Sequence, residues 1–169
     1  PSNSSAASDV YKRQEPAKAA QKGEINMSDC IFCKIVAGEI PASKVYEDDH
    51  FLAFLDISQV TPGHTLVIPK KHARNLLEMT PDETADLFNI VSRVTKKVEG
   101  ATQPQGMNII SNMEEIAGQS VFHTHVHILP RYSQEDDLKI DFIAHEPDFD
   151  RLAQLAKDIS NPVSYTHLT

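Results

Sequence analysis

The sequence has little that suits it to nucleic acid or to a membrane. Its 169 residues include 16 Lys and Arg against 24 Asp and Glu, a formal net charge of −8. Nonspecific nucleic-acid binding needs a basic excess, so this balance argues against it. No apolar run approaches the roughly 18 residues of a membrane span, and the N-terminal stretch has no apolar segment suited to secretion. We expect a cytoplasmic protein without nucleic-acid or membrane partners.

Cysteine is scarce and tryptophan is absent: the two cysteines are Cys30 and Cys33. In a reducing compartment this spacing indicates a metal site or a redox pair rather than a structural disulfide, and the spacing alone leaves both open. The apolar content of 40% and the charged content of 24% are ordinary for a soluble globular protein. A chain of this length fits one domain.

The two ends of the chain differ from its middle. Residues 1–26 are rich in Ser, Ala, Lys and Gln without periodicity, and convincing apolar patterning begins after Met27. We expect 1–26 to be a non-native or disordered leader, 27–160 to be the folded domain, and 161–169 to be a non-native or disordered tail.

The patterning between these ends predicts an α+β fold, a mainly antiparallel five-stranded sheet with two main helices and with the helices against one face. Thr80, Pro81 and Glu83 form the sequence pattern of a capping box with proline at the first helical position. The predicted strands cover residues 44–47, 51–55, 64–69, 107–112 and 121–129. The predicted helices follow a cap at Asp29, run from Thr80 to Gly100, and follow a cap at Asp148.

Three histidines, His123, His125 and His127, alternate with other residues in the last predicted strand. Side chains two apart on a strand share a face, so the three rings are expected about 6.5 Å apart on one side. Imidazoles are poor core material because their nitrogens need partners when buried. The array therefore predicts a functional site.

Two chemistries compete for this array. A metal-dependent hydrolase would use the histidines as ligands, but the motif contains no Asp or Glu to complete such a site. A nucleophilic mechanism needs one neutral imidazole of fixed tautomer and donors for charge on phosphate oxygens. Gln119 and Ser120 are suitable donors.

The histidine segment, residues 123–129 with sequence HTHVHIL, resembles the signature of the histidine triad (HIT) family. Three further segments occur in the family's order: DIS at 56–58, GHTLVIPKKH at 63–72 and GQSV at 118–121. The chain looks closest to the bacterial Hit-like and histidine triad nucleotide-binding branch. Thr124 occupies a position that is often hydrophobic in the family.

This resemblance implies a hydrolase or transferase that acts on nucleoside monophosphate phosphoramidates or related conjugates. His125 would be the nucleophile that forms a nucleotidyl-histidine, His127 would flank the phosphate, and His123 and Ser120 would complete the catalytic set. The resemblance further implies a purine nucleotide of the AMP type as substrate. It also implies a homodimer in which the helix from Thr80 and a strand of each subunit pack together.

The nucleotide-binding residues are likewise implied by the resemblance. Asn112 and Gln119 match positions that, with Ser120, hydrogen-bond phosphate oxygens or the leaving group, and Asp56 matches the acid that receives the ribose hydroxyls. The apolar slot for the base would be formed by Phe32, Ile40 and Phe54. These three residues are equally suited to the core, and Asp56 to a turn.

A structural zinc site is implied by the zinc-bearing members of the family. Its ligands would be Cys30, Cys33, His72 and His123, and free thiols are the alternative. For the activity, two alternatives stay open besides the metal-dependent hydrolase. One is a nucleotide-binding signalling module with incidental turnover, and the other is a dinucleoside polyphosphate hydrolase.

Overall fold

Five antiparallel strands form one sheet in the order β1-β2-β3-β5-β4. Their bounds are β1 Lys44–Glu47, β2 Phe51–Leu55, β3 Thr65–Pro69, β4 Gly106–Ile110 and β5 Val126–Arg131. The computed structural model describes residues 29–161, which divide into one unit at 29–138 and a second at 139–161. The predicted leader and residues 162–169 of the predicted tail lie outside the described residues. The predicted α+β class with a five-stranded antiparallel sheet is confirmed.

Both faces of the central strands are buried, so the prediction that helices cover one face is wrong. On β2, Phe51 and Ala53 pack with the long helix α2, Pro81–Thr102, while Leu52 and Phe54 pack with the short helix α1, Ile31–Val36. Because side chains alternate along a strand, an apolar run such as β2 supplies a core on each face.

Helix α2 begins as its sequence predicts. Thr80 Oγ1 accepts a hydrogen bond from the Glu83 amide at 3.2 Å, and the Glu83 carboxylate accepts one from the Thr80 amide at 2.9 Å. The helix continues two residues past the predicted end at Gly100 and stops at Gln103, which adopts a left-handed conformation. Its apolar stripe packs on the sheet through Leu87, Ile90, Val91, Val94 and Val98.

Helix α1 begins one residue later than its sequence predicts. Cys30, rather than Asp29, is the N-cap, and its Sγ accepts from the Cys33 amide at 3.5 Å. A thiol is a weak acceptor, so its position at the cap is better explained by the side chains around it than by helix capping. The helix ends before Gly38, whose φ of +77° suits glycine.

Strand β5 begins at Val126, whereas the sequence predicted a strand from residue 121. The preceding residues are bonded to loops instead of to β3. The Thr124 amide donates to the Ala73 carbonyl at 2.7 Å, and the Ser111 hydroxyl donates to the His125 carbonyl at 2.9 Å. Thus His123 and His125 precede the ladder and only His127 lies within it.

The second unit, residues 139–161, contains helix α3, Phe149–Ser160. Asp148 caps it as predicted, with Oδ1 accepting from the Arg151 amide at 3.0 Å. Across residues 29–161, none of the helices combines the length and the apolar character needed to cross a bilayer.

Candidate active site

The three histidines lie close together although they do not share one strand. The ring centroids of His125 and His127 are 4.9 Å apart, and the Phe32 ring makes T-shaped contacts with both His123 and His125, at centroid distances of 5.8 and 5.2 Å. The alternation in the sequence therefore identifies residues that meet in space. The reason is tertiary packing around Phe32 rather than a continuous strand.

His125 is held in a single tautomer. Its Nδ1 lies 2.7 Å from the backbone carbonyl oxygen of His123, which can only accept, so Nδ1 carries the proton and Nε2 carries the lone pair. Only 4% of the residue is exposed. Burial lowers the pKa of His125, against the opposing effects of the His123 carbonyl and Asp56. The ring is consequently neutral near pH 7 with a nucleophilic nitrogen.

The ring of His127 is oriented by His64, a residue of the motif at 63–72. His64 Nε2 and His127 Nδ1 are 2.9 Å apart, and the Val60 amide donates to His64 Nδ1 at 3.4 Å. His64 must then donate from Nε2, which leaves the proton of His127 on its Nε2. Burial, with smaller effects of His125 and His64, lowers the pKa of His127 to about 4. His127 is therefore a neutral ring with one donor on Nε2.

Asp56 lies beside this histidine pair. Its Oδ2 is 3.7 Å from His64 Nε2, and its Oδ1 accepts from the Ser58 amide at 2.7 Å. The carboxylate thus caps a turn, as one of the two readings of the sequence proposed, and it is half-buried. A carboxylate accepts several hydrogen bonds, so the turn leaves capacity for a ribose diol.

The segment before the triad contains the predicted phosphate donors. Ser120 is exposed, and its hydroxyl has no hydrogen-bond partner among residues 29–161. Asn112 donates from Nδ2 to the Gly118 carbonyl at 3.3 Å. Gln119 is 2% exposed, and its Nε2 already donates to the Arg74 and Val121 carbonyls at 2.6 and 3.1 Å. In this structure the Gln119 side chain connects its loop to the Arg74 carbonyl, while the Ser120 hydroxyl can still donate a hydrogen bond to a ligand.

The predicted base slot is closely packed in this structure. Phe32 and Phe54 are 1% and 2% exposed, with ring centroids 5.7 Å apart, and Ile40 packs against the same cluster. All three contribute to the core on the α1 side of the sheet. Their contact with a base stays a prediction.

Four side chains, including His123 of the triad, lie together with the spacing of metal ligands. Cys33 Sγ is 3.3 Å from His72 Nδ1 and 3.5 Å from His123 Nδ1, and Cys30 Sγ is 3.4 Å from His123 Nδ1. The two histidine Nδ1 atoms are 3.2 Å apart. A tetrahedral zinc ion, with bonds of about 2.3 Å to sulfur and 2.05 Å to nitrogen, requires S···N separations of about 3.5 Å and N···N of about 3.3 Å. The cluster fits such an ion.

The hydrogen bonds of His123 support the same interpretation. Its Nε2 lies 2.8 Å from the Pro69 carbonyl and must donate to it, so its Nδ1 is free to bind a metal. Burial, followed by the hydrogen bond and charge of Cys30, raises the pKa of Cys33 to about 12 in the metal-free thiol form. A reactive redox pair needs a lowered thiol pKa, so this argues against redox chemistry at Cys33.

The three histidines of the triad do not belong to one cluster of possible metal ligands. Among the described residues, two groups of side chains have the spacing of metal ligands: Cys30, Cys33, His72 and His123 form one, and Asp56, His64 and His127 the other. His125 belongs to neither group. The triad therefore does not converge on a single ion, as a metal-dependent hydrolase built on all three histidines would require.

Residues 73–75, directly after His72, are the contacts that sequence reasoning missed. Ala73 accepts from Thr124, while Arg74 and Asn75 bond to Glu114. Their position at the end of the motif at 63–72 was the only available signal. Which loop they contact depends on the tertiary fold.

This fold and site define a small α+β protein in which an oriented, neutral histidine lies beside a Cys2His2 cluster. The chain belongs to the HIT domain family, whose pattern it matches over residues 37–134. It is 50% identical over 121 residues to Protein hit of Bacillus subtilis (strain 168), covering 72% of this chain and 83% of that protein. The family and branch inferred from the sequence are confirmed.

Two further similarities extend over most of the chain. Adenosine 5'-monophosphoramidase hnt1 of Schizosaccharomyces pombe (strain 972) is 39% identical over 134 residues, which cover 79% of this chain and 98% of that protein. The crystal structure of SMU.412c from Streptococcus mutans UA159 is 57% identical, with a TM-score of 0.77, and covers 83% of this chain and 89% of that one.

Proposed function

We propose that this protein hydrolyses nucleoside monophosphate phosphoramidates, or related nucleotidyl conjugates, through a covalent nucleotidyl intermediate on His125. The observation that carries the proposal is the hydrogen bond between His125 Nδ1 and the His123 carbonyl, which leaves Nε2 unprotonated. A relative, hnt1 of S. pombe, is named adenosine 5'-monophosphoramidase. This name supports an adenosine nucleotide as the substrate.

In the first step His125 Nε2 forms a bond to phosphorus, and the bond from phosphorus to the leaving nitrogen breaks. The electron pair goes to that nitrogen, which takes up a proton from solvent water and departs as an amine; the proton released in the second step restores the balance. The substituted imidazole keeps its proton on Nδ1 and becomes cationic, and the His123 carbonyl, 2.7 Å away, stabilises that charge. The same hydrogen bond therefore serves both orientation and charge.

In the second step a water oxygen attacks phosphorus and the bond to His125 Nε2 breaks. The electron pair returns to the ring, a proton from the water is released, and the nucleoside monophosphate leaves. His127 Nε2, the Ser120 hydroxyl and the Asn112 amide supply hydrogen bonds to the phosphate oxygens in both steps. Asp56 receives the ribose hydroxyls, and Phe32, Ile40 and Phe54 lie below the base.

The intermediate is the feature to test. Parent protein is mixed with adenosine 5'-phosphoramidate, quenched in denaturant within milliseconds to seconds and analysed by mass spectrometry. We expect an adduct of one adenylyl group that maps to His125. Substrates with different amine leaving groups should partition through the same adduct with one common rate of hydrolysis. Turnover without any adduct on His125, at any time point, would refute the covalent route.

Zinc is the metal that the cluster fits best, because two thiolates and two imidazoles in a tetrahedron are its preferred ligands. Cys30, Cys33, His72 and His123 would hold it, with a structural role that ties α1 to the catalytic segment. Bound zinc would keep both thiols as thiolates and cross-link three parts of the chain. Metal analysis of protein purified without oxygen should give one zinc per chain.

We also propose a homodimer formed through α2 and the sheet edge. Strand β4 is one of the two edge strands of the sheet, and Ile109 on it is 41% exposed. On α2, the apolar side chain of Phe88 is 39% exposed. Light scattering of the full chain should give twice the monomer mass. The variant Ile109→Lys should shift the protein towards the monomer.

A further inference from the structure

The turn before the triad contains a residue in an unfavourable backbone conformation. Glu114 has φ of +72° and ψ of 160°, a combination that glycine adopts and other residues rarely do. Its carbonyl accepts from the amides of Ala117 and Gln119, each at 3.1 Å. This conformation of Glu114 thus starts the turn that leads to Ser120.

Arg74, from the loop after β3, holds both ends of this turn. Its Nε and a terminal nitrogen donate to the two carboxylate oxygens of Glu114, each at 2.7 Å. The same guanidinium lies 4.0 Å above the centroid of the Phe122 ring. A planar group with two fixed donors specifies position as well as charge, which an ammonium group does not.

Asn75 and Gln119 complete the connection between the two loops. Asn75 Nδ2 donates to Glu114 Oε1 at 3.1 Å, and Gln119 Oε1 accepts from the Glu114 amide at 2.8 Å. Gln119 Nε2 donates back to the Arg74 carbonyl at 2.6 Å. We call Arg74, Asn75, Glu114 and Gln119 the loop clamp.

The ion pair in the loop clamp is poorly placed to stabilise the fold. The side chains of Arg74 and Glu114 are 28% and 48% exposed, and exposed ion pairs contribute little to stability. Because Glu114 is strained and its ion pair with Arg74 is exposed, we interpret the pair as fixing the shape of the turn rather than as stabilising the fold. The turn ends at the proposed phosphate donor Ser120, and its Gly118 carbonyl accepts from the other proposed donor, Asn112, at 3.3 Å.

We propose that Arg74 is a positioning residue, which through Glu114 fixes the turn that presents Ser120 and Asn112 to the substrate phosphate. This inference rests on the proposed function for the identity of the phosphate. Since donors that are correctly placed in advance act on the charge that develops in the transition state, loosening the turn lowers kcat and leaves KM nearly unchanged.

The test uses the full chain and adenosine 5'-phosphoramidate. Arg74→Met keeps an apolar chain over Phe122 but loses both donors, and Glu114→Gly relieves the backbone strain but loses the carboxylate. We expect each variant to lower kcat by about tenfold to a hundredfold. The Tm of Glu114→Gly should equal or exceed that of the parent, and Arg74→Lys should recover part of the loss. The double variant should be no worse than the worse single variant.

The matched control is Lys71→Met, which removes another exposed ion pair, Lys71 with Glu83 at 2.6 Å, away from the turn. We expect parental kcat and Tm. The proposal is overturned if Arg74→Met and Glu114→Gly keep parental kcat, or if kcat falls in Glu114→Gly only in proportion to a fall in Tm.

A titration with AMP, followed through the backbone amide signals of Gly118 and Ser120, separates this inference from the proposed function. We expect AMP to shift both signals in the parent and in Lys71→Met, and to shift them less in Arg74→Met. Parent protein that binds AMP without turnover contradicts the proposed function alone, and the titration then decides on the clamp. Equal responses in Arg74→Met and the parent, or no response in the parent, overturn the role of Arg74.

Discussion

The proposed nucleophile and a proposed metal ligand are joined by one hydrogen bond. His125 Nδ1 donates to the backbone carbonyl of His123, whose ring directs its Nδ1 at Cys30, Cys33 and His72. His123 thus orients the His125 ring through its backbone carbonyl and belongs to the Cys2His2 cluster through its side chain. The position of His125 Nε2 depends on both attachments.

His125→Ala should reduce turnover of adenosine 5'-phosphoramidate by about 10⁴-fold or more, because no other group replaces the lost nitrogen. AMP binding should remain measurable by calorimetry, since the phosphate and ribose contacts are retained. The control is His145→Ala, an exposed histidine in the second unit. Comparable rates in His125→Ala and the parent would falsify the assignment.

His64→Leu should lower kcat by about tenfold, because it removes the donor that sets the tautomer of His127 and lets that ring turn. The informative comparison is His64→Gln, whose amide nitrogen can donate to His127 Nδ1 in place of the imidazole. Steady-state kinetics should show partial recovery in His64→Gln. If His64→Leu and His64→Gln reduce kcat equally, the 2.9 Å hydrogen bond from His64 to His127 does not contribute to turnover.

Local sequence patterns correctly predicted the features of the fold that depend on interactions between residues close in sequence. The capping box at Thr80 and Glu83, the cap at Asp148 and the β-prone runs that form β2 and β3 are each set within a few residues, and the structure shows them. The four proposed metal ligands also come together, although they lie on distant parts of the chain. The family resemblance supplied this grouping, since the Cys30 and Cys33 spacing alone did not.

Long-range contacts decided the features that the patterns missed. The start of β5 at Val126 depends on the bond from Thr124 to Ala73, and the burial of Gln119 depends on Arg74 and Glu114. Ala73 lies 51 residues from Thr124 and Arg74 lies 45 residues from Gln119, so local patterns carry no information on these contacts. Cys30 likewise displaces Asp29 as the cap of α1 because its sulfur is directed at His123.

Cys33→Ser should remove the metal and lower Tm by several degrees, because the cluster then no longer cross-links α1 to His72 and His123. Turnover per folded molecule should fall much less than Tm suggests. Calorimetry with added zinc provides the comparison: excess zinc should raise the Tm of chelator-treated parent but not that of Cys33→Ser. An equal rise in both proteins would show that zinc stabilises them from another site.

The free energy of unfolding should decrease as the pH falls from about 6.5 to about 4. Burial, His125 and His64 lower the pKa of His127 to about 4, from 6.5 in the unfolded chain. Between these values the unfolded chain binds a proton at this histidine that the folded chain does not bind, so acid favours unfolding. Below pH 4 both states bind it and this contribution to the slope disappears.

Urea unfolding at a series of pH values measures the slope, and His127→Asn isolates the histidine. Asparagine does not titrate, so its variant should show a shallower decline between pH 6.5 and 4, whatever its stability at pH 7. Changes in slope are independent of that baseline because linkage depends on the difference in bound protons between the two states. Identical slopes in the parent and in His127→Asn would mean that His127 binds its proton equally well in the folded and unfolded chain.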